Sequence, residues 1–188
     1  MRGRSNATLV IAGTALSLSV AVFSADAQPP SGDLHAFSAE ADTYVSAVRP
    51  RSNFGRSRTL RADASPKATV YLRFHLEKLR WEVTSVTLLL HASAGARTSY
   101  QVRRVYEDEW REQALTFQNA PRLSLRYASS KPVRRGAWSA VDVTSFVTEK
   151  SGPVSLAITT RSPLGVSFDS RESKRGPRLV VRTTRGSP

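Results

Sequence analysis

The stretch "ATVYLRFHL", Ala68–Leu76, alternates without a fault: Val70, Leu72, Phe74 and Leu76 fall on one face, Tyr71, Arg73 and His75 on the other. A period of two held over this length is a β-strand with one face turned to a core. The same period returns along the chain. "VTSVTLLLHA" puts Val86, Leu88, Leu90 and Ala92 on one side, and "PVSLAITT" does so with Val154, Leu156 and Ile158. "DTYVSAV", "TLRAD", "SYQVRRV", "WSAVDV", "VSFDSR" and "PRLVVRT" read as further short strands. Between them lie breaks such as "ASPK", "SAGART", "NAPR", "KPVRRG" and "KRGPR", rich in Gly and Pro. No segment sustains a helical period; "VTSFVTEK" predicts one short helical turn capped by Thr144. Around nine strands separated by turns predict an all-β fold, a two-sheet β-sandwich of the jelly-roll type.

The chain has 188 residues, with 28 Lys+Arg against 15 Asp+Glu and no cysteine. Its length suits one domain and its 40% hydrophobic content suits a real core. A net charge of +13 points to polyanionic partners. Residues 1–27 read as a signal peptide. Arg2 and Arg4 precede an uncharged run, and Ala25-Asp26-Ala27 is an A-x-A cleavage signal. The rival reading is an uncleaved anchor, because that run is just long enough to span a bilayer. After cleavage no segment is left to cross a membrane as an apolar helix. The expected location is secreted, extracellular or in the cell envelope. Residues 28–40 read as a polar N-terminal linker that includes His35, and 41–184 as the β-sandwich.

"RPRSNFGRSRTLR", Arg49–Arg61, holds five arginines and no acid. "SNFG" is a turn, since Asn and Gly tolerate turn geometry. It displays Arg49 and Arg51 before it and Arg56, Arg58 and Arg61 after it. Arginine grips a carboxylate through two parallel hydrogen bonds, so a spaced arginine row suits an acidic sugar chain. The plainer reading is a solvated basic loop. Tyr71, Arg73 and His75 form a second candidate strip, able to stack on and pair with a sugar. Against this, Arg73 could form a structural salt bridge, with Glu172 as the suggested partner. Arg171 and Arg175, near the last turn, would border the same groove. Trp110 and Trp138 read as packing residues before sugar platforms, and Trp81 has no clear assignment.

Catalysis finds little support, and the reading is of a protein that is not an enzyme. A lyase would need His75, Tyr71 and Arg73 as base, acid and neutraliser, a coincidence of three residues. A hydrolase would need two paired carboxylates, and nothing pairs Asp42, Asp63, Asp142, Asp169 or Glu172 in the sequence. No GxSxG, HExxH or phosphate loop occurs. No cofactor is expected except a structural calcium, with Asp42 and Asp142 as candidate ligands. The plainer reading gives both aspartates turn or cap hydrogen bonds. A nucleic-acid partner is suggested by charge alone and lacks a basic helix.

From Ala41 onward the chain resembles the DNRLRE domain, also described as carbohydrate-binding module family 96. "ADTYV", "SNFG", "YLRF", "VTSVTLLLH", "YQVRRV", "W…LTFQNAP", "WSAVDVTSFV", "VSLAITT" and "FDSRE…PRLVV" occur in order. Phe117 departs from the pattern, where the resemblance leads one to expect tryptophan. The resemblance implies a β-sandwich that binds acidic polysaccharide, alginate being the family's ligand, without catalysis. It also implies basic ligand-binding residues in the Arg49–Arg61 segment, and such modules usually accompany a catalytic or repeat domain; a separate secreted enzyme is a candidate partner. The expected function is therefore an anionic-polysaccharide module. The alternatives are a structural or adhesive envelope domain and a nonspecific polyanion or nucleic-acid binder.

Overall fold

The computed structural model describes residues 32–79, 82–95, 97–147 and 151–184. The expected signal peptide and Trp81 lie outside the described residues. The strands are β1 (Gly32–Ser38), β2 (Ala41–Ser46), β3 (Thr59–Ala64), β4 (Lys67–Leu76), β5 (Glu82–Gly95) and β6 (Gln101–Val105). They continue with β7 (Ala128–Ser129), β8 (Trp138–Asp142), β9 (Gly152–Thr159), β10 (Val166–Asp169) and β11 (Arg178–Thr184). Every pairing is antiparallel, in the order β1-β11-β5-β10-β3-β4-β9-β6-β7, with β2 on β4 and β8 on β5.

The sheet curls on itself because β5 is long. Its first part carries β11 and β8, and its end carries β10, which hands on to β3 and then to β4. Two layers result, β1-β11-β5-β8 and β2-β4-β9-β6-β7, with the core between them. Val70, Leu72, Phe74 and Leu76 meet Val86, Leu88, Leu90, Leu156, Ile158, Phe168 and Leu179 there, all at most 1% exposed. Each such side chain contributes about 1.5–3 kcal/mol relative to its exposed state. The period-two reading of Ala68–Leu76 thus gives the core face of β4 correctly.

The opposite face of β4 is covered over its middle, at Thr69 and Tyr71. The connection from β6 to β7 folds back across it, and Ala41, Val45, Tyr71, Val105, Trp110, Leu115 and Ala157 form a second buried cluster. Tyr71 donates its hydroxyl to the Pro121 carbonyl at 3.2 Å, and Trp110 donates Nε1 to Ser155 Oγ at 3.0 Å. Burial pushes the Tyr71 phenol up to about 12.

All nine expected strands are present, and two more join them. One is the short β7. The other is β1, which occupies most of the expected 28–40 linker and pairs with β11 from Gly32↔Thr184 to Ser38↔Arg178. His35 therefore sits in a strand, opposite Val181. The expected helical turn is a 3-10 turn, Thr144–Phe146, but Thr144 does not cap it. Its hydroxyl accepts from the Val86 amide at 2.9 Å and donates to Asp142 Oδ1 at 2.6 Å. No helix among the described residues is long and apolar enough to cross a membrane.

Candidate functional site

The arginine loop is built around a docked turn. Asn53 Oδ1 accepts from the Gly55 amide at 3.1 Å. Its Nδ2 donates to the carbonyls of Glu112 and Leu115 at 2.7 and 2.8 Å. Gly55 lies so close to this segment that a Cβ there would meet the Glu112 carbonyl oxygen at 2.5 Å. Phe54 stacks on Tyr44 with ring centroids 4.3 Å apart. "SNFG" is therefore a clamp on the segment around Glu112, and the arginines splay from it.

They splay toward two adjoining pockets. Arg49 and Arg61 line a shallow one of about 240 Å³ with Tyr44, Phe54 and Pro66. Arg58, Thr59, Asp169, Ser173, Lys174 and Arg175 line the other, of about 650 Å³. Thr59 and Arg61 are both exposed between buried Leu60 and Ala62, so they share one face of β3. Two residues along a strand span about 7 Å, which sets the pockets side by side. Arg61 is tethered to Asp63 at 2.7 Å and Arg175 to Asp169 at 3.0 Å. A guanidinium carries five N–H groups, so each tether orients its arginine and leaves donors for a ligand. Arg51 and Arg56 are exposed and line neither pocket.

The structure does not bring Tyr71, Arg73 and His75 together as one open face, although Tyr71 borders a pocket of about 640 Å³. Tyr71 is buried in the second cluster. Arg73 donates NH1 to the carbonyls of Asp108 and Trp110, lies 5.1 Å from the Trp110 ring centroid, and pairs with Glu40 at 3.3 Å. Its carboxylate partner is therefore Glu40 and not Glu172. His75 is exposed at the end of β4, opposite Pro153. The covering of the sheet by the β6–β7 connection is the physical reason, and the local alternation carries no trace of it.

Arg171 faces acids. Its amide donates to Asp42 Oδ2 at 2.7 Å, and its NH1 lies 3.0 Å from Glu112 Oε2 and 3.6 Å from Glu172 Oε1. Asp42 donates its own amide to Glu112 Oε1 at 2.8 Å. Burial is the main cause that pushes the Asp42 carboxyl up to about 7, with Glu172 and Glu112 adding to it. Among the described residues, Asp42, Glu112 and Glu172 are the group of acids close enough to share an ion. Asp142, the other expected metal ligand, instead accepts from the hydroxyl and amide of Thr144. Those two bonds, the hydroxyl first, hold its carboxyl below the usual range.

Sequence reasoning missed Lys174 and Glu112. Lys174 sits in "ESKRG", one residue from the expected Arg175, and its neighbour was its signal. Glu112 had no local signal, standing 70 residues from the amide it accepts. Trp110 is a packing residue as expected. Trp138 is 45% exposed, edge-on to His91 at 5.4 Å, with Arg178 over its ring at 5.8 Å.

A further basic pocket, of about 640 Å³, includes Lys67, Arg103, Arg122 and Arg161 in its wall. Arg103 spends its donors on the carbonyls of Ser124 and Leu125 and on Gln101 Oε1. Arg161 lies over the Tyr127 ring at 5.8 Å. Two of its four cations are thus engaged internally.

No curated relative matches the chain. A solved structure described as "Structural basis for the promiscuous specificity of the carbohydrate-binding modules from the beta-sandwich super family" is similar over 85% of this chain, with 13% sequence identity and a TM-score of 0.29. The match covers 58% of that structure, so this chain spans little more than half its length. The family model of carbohydrate-binding module family 96 matches residues 34–183, nearly the whole described β-sandwich. The chain belongs to carbohydrate-binding module family 96.

Proposed function

We propose that the carbohydrate is an acidic polysaccharide of the polyuronate class, alginate among them, held along β3 by Arg49, Arg61, Arg58, Lys174 and Arg175. The observation that carries this reading is the adjacency of the two basic pockets through Thr59 and Arg61 on one strand face. A polyuronate repeats a carboxylate on every sugar, and the cations of two adjoining pockets offer it successive partners. Arg61 and Arg175 are pre-oriented by Asp63 and Asp169, so less side-chain entropy is lost on binding. The leader at 1–27 fits a module exported to the envelope or the medium, where such polymers occur, alongside a separately secreted enzyme.

The rival reading is an adhesive envelope domain that holds any polyanion by charge. The test is a binding titration against alginate, pectate, heparin and duplex DNA at about 0.15 M salt, where charges beyond about 8 Å are screened. An Arg49→Ala/Arg58→Ala variant runs beside the parent. Neither residue makes an ion pair among the described residues, so the fold should persist. Preference for one uronate polymer, lost in the variant, supports the reading. Equal affinity for every polyanion, or for none, overturns it.

A further inference from the structure

Three acids from distant parts of the chain meet behind the docked turn. Asp42 opens β2, Glu112 lies in the β6–β7 connection, and Glu172 follows β10. Each offers one oxygen, and these oxygens lie within 4.8 Å of one another. Asp42 is 1% exposed. Its Oδ2 accepts the Arg171 amide, but its Oδ1 is buried without any hydrogen-bond partner. A buried carboxylate oxygen normally finds a donor or a cation, because leaving it bare forfeits its hydration for nothing. The other oxygens are better provided for. Glu112 accepts from the Asp42 amide and Arg171, and Glu172 Oε2 accepts from Ser170 Oγ at 2.8 Å.

We propose that Asp42, Glu112 and Glu172 form a calcium site. The donors are all carboxylate oxygens, with no nitrogen or sulfur, which selects a hard cation. The three oxygens lie within 4.8 Å of one another, so an ion with bonds of about 2.4 Å can bridge any two of them, and a small inward shift of the exposed Glu172 brings in the third. Charge agrees: three carboxylates beside the single Arg171 guanidinium leave two negative charges, which one divalent ion neutralises. The acids come from three separate segments and impose no regular octahedron, which suits calcium better than magnesium. The ion would join β2, the β6–β7 connection and the loop that carries Lys174 and Arg175. The inference is independent of which polymer the module takes.

The test is calorimetric titration of calcium chloride into the chelator-stripped protein at about pH 8, above the usual carboxylate range, with thermal unfolding alongside. One equivalent should bind and Tm should rise with calcium. Glu172→Gln, at an exposed position that leaves the core intact, should weaken binding by about tenfold or more. Arg171→Gln removes the competing cation and should tighten it several-fold. No binding heat together with an unchanged Tm overturns the proposal. So does a Glu172→Gln variant that binds as tightly as the parent, or a response to magnesium equal to that to calcium.

Discussion

Asn53 donates its side-chain amide to the Glu112 carbonyl at 2.7 Å, so the arginine loop hangs from the segment that carries one of the three clustered acids. The same amide group reaches Leu115, and its oxygen holds Gly55. One side chain thus closes its own turn and docks it. Asn53→Ala should cost about 1–3 kcal/mol of stability by urea unfolding. Asn53→Asp should not restore it, because it keeps the acceptor for Gly55 and lacks the donor for both carbonyls. Gly55→Ala should be comparably harmful, since its Cβ would meet backbone at 2.5 Å. An unchanged midpoint in Asn53→Ala would show that the turn is not held this way.

Arg73 is expected to matter for stability and not for binding. Its NH1 serves the carbonyls of Asp108 and Trp110, and its charge lies over the Trp110 ring. Arg73→Ala should destabilise by about 1.5–3 kcal/mol, the range for bonds from a charged donor. Arg73→Lys should recover only part of this, lacking the planar fork. Polysaccharide affinity of the folded variant should equal that of the parent. A variant of full stability and lost affinity would return Arg73 to the ligand face.

The pH dependence at Asp42 runs opposite to that of most carboxylates. Its folded-state value is raised from 3.8 to about 7, so between those values the native chain holds a proton that the unfolded chain releases. Stability from this group is complete below the unfolded value and falls as pH rises through the window. It is flat above about 7. In calcium-free buffer the Asp42→Asn variant should lack this decline. The difference between parent and variant should amount to on the order of 4 kcal/mol across the window. Parallel pH profiles for the two proteins would contradict it.

The pocket bordered by Lys67 and Arg122 provides a charge-matched control. Both residues are exposed and make no ion pair among the described residues. Lys67→Ala/Arg122→Ala removes as much charge as Arg49→Ala/Arg58→Ala. It should weaken uronate binding less than threefold, through long-range charge alone, and leave the order of preference among polymers unchanged. Equal losses in the two variants would mean that net charge, and not the groove along β3, does the holding.

The strands were legible where the alternation is clean, as in Ala68–Leu76, and where Gly or Pro breaks separate neighbouring runs, as "ASPK" does between β3 and β4. β1 was not, since "GDLHAFS" has a weak apolar pattern and owes its strand form to pairing with β11. Arg49, Arg58, Arg61 and Arg175 could be picked out by residue type. Their division between two pockets could not, because it depends on how β3 and the loop after β10 come together. Tyr71 and Arg73 misled for a different reason. Alternation tells which side of a strand a residue faces, but not whether another segment covers that side. Of the three clustered acids only Asp42 was legible as a candidate ligand, because Arg171 and Glu112 reach it through contacts 129 and 70 residues long.

The antiparallel ladder between β1 and β11 puts Gly32 directly opposite Thr184. A pull applied between those two residues acts across the ladder, and not along it. It would open the paired amides in succession from one corner, like a zipper, so that each step meets only a few hydrogen bonds. β1 lies at the outside of the strand order, so it would peel away while the curled core behind it keeps its packing. Under tension the first strand would therefore act as a mechanical fuse. It would yield at low force and take up slack before β3 and the pockets beside it are disturbed.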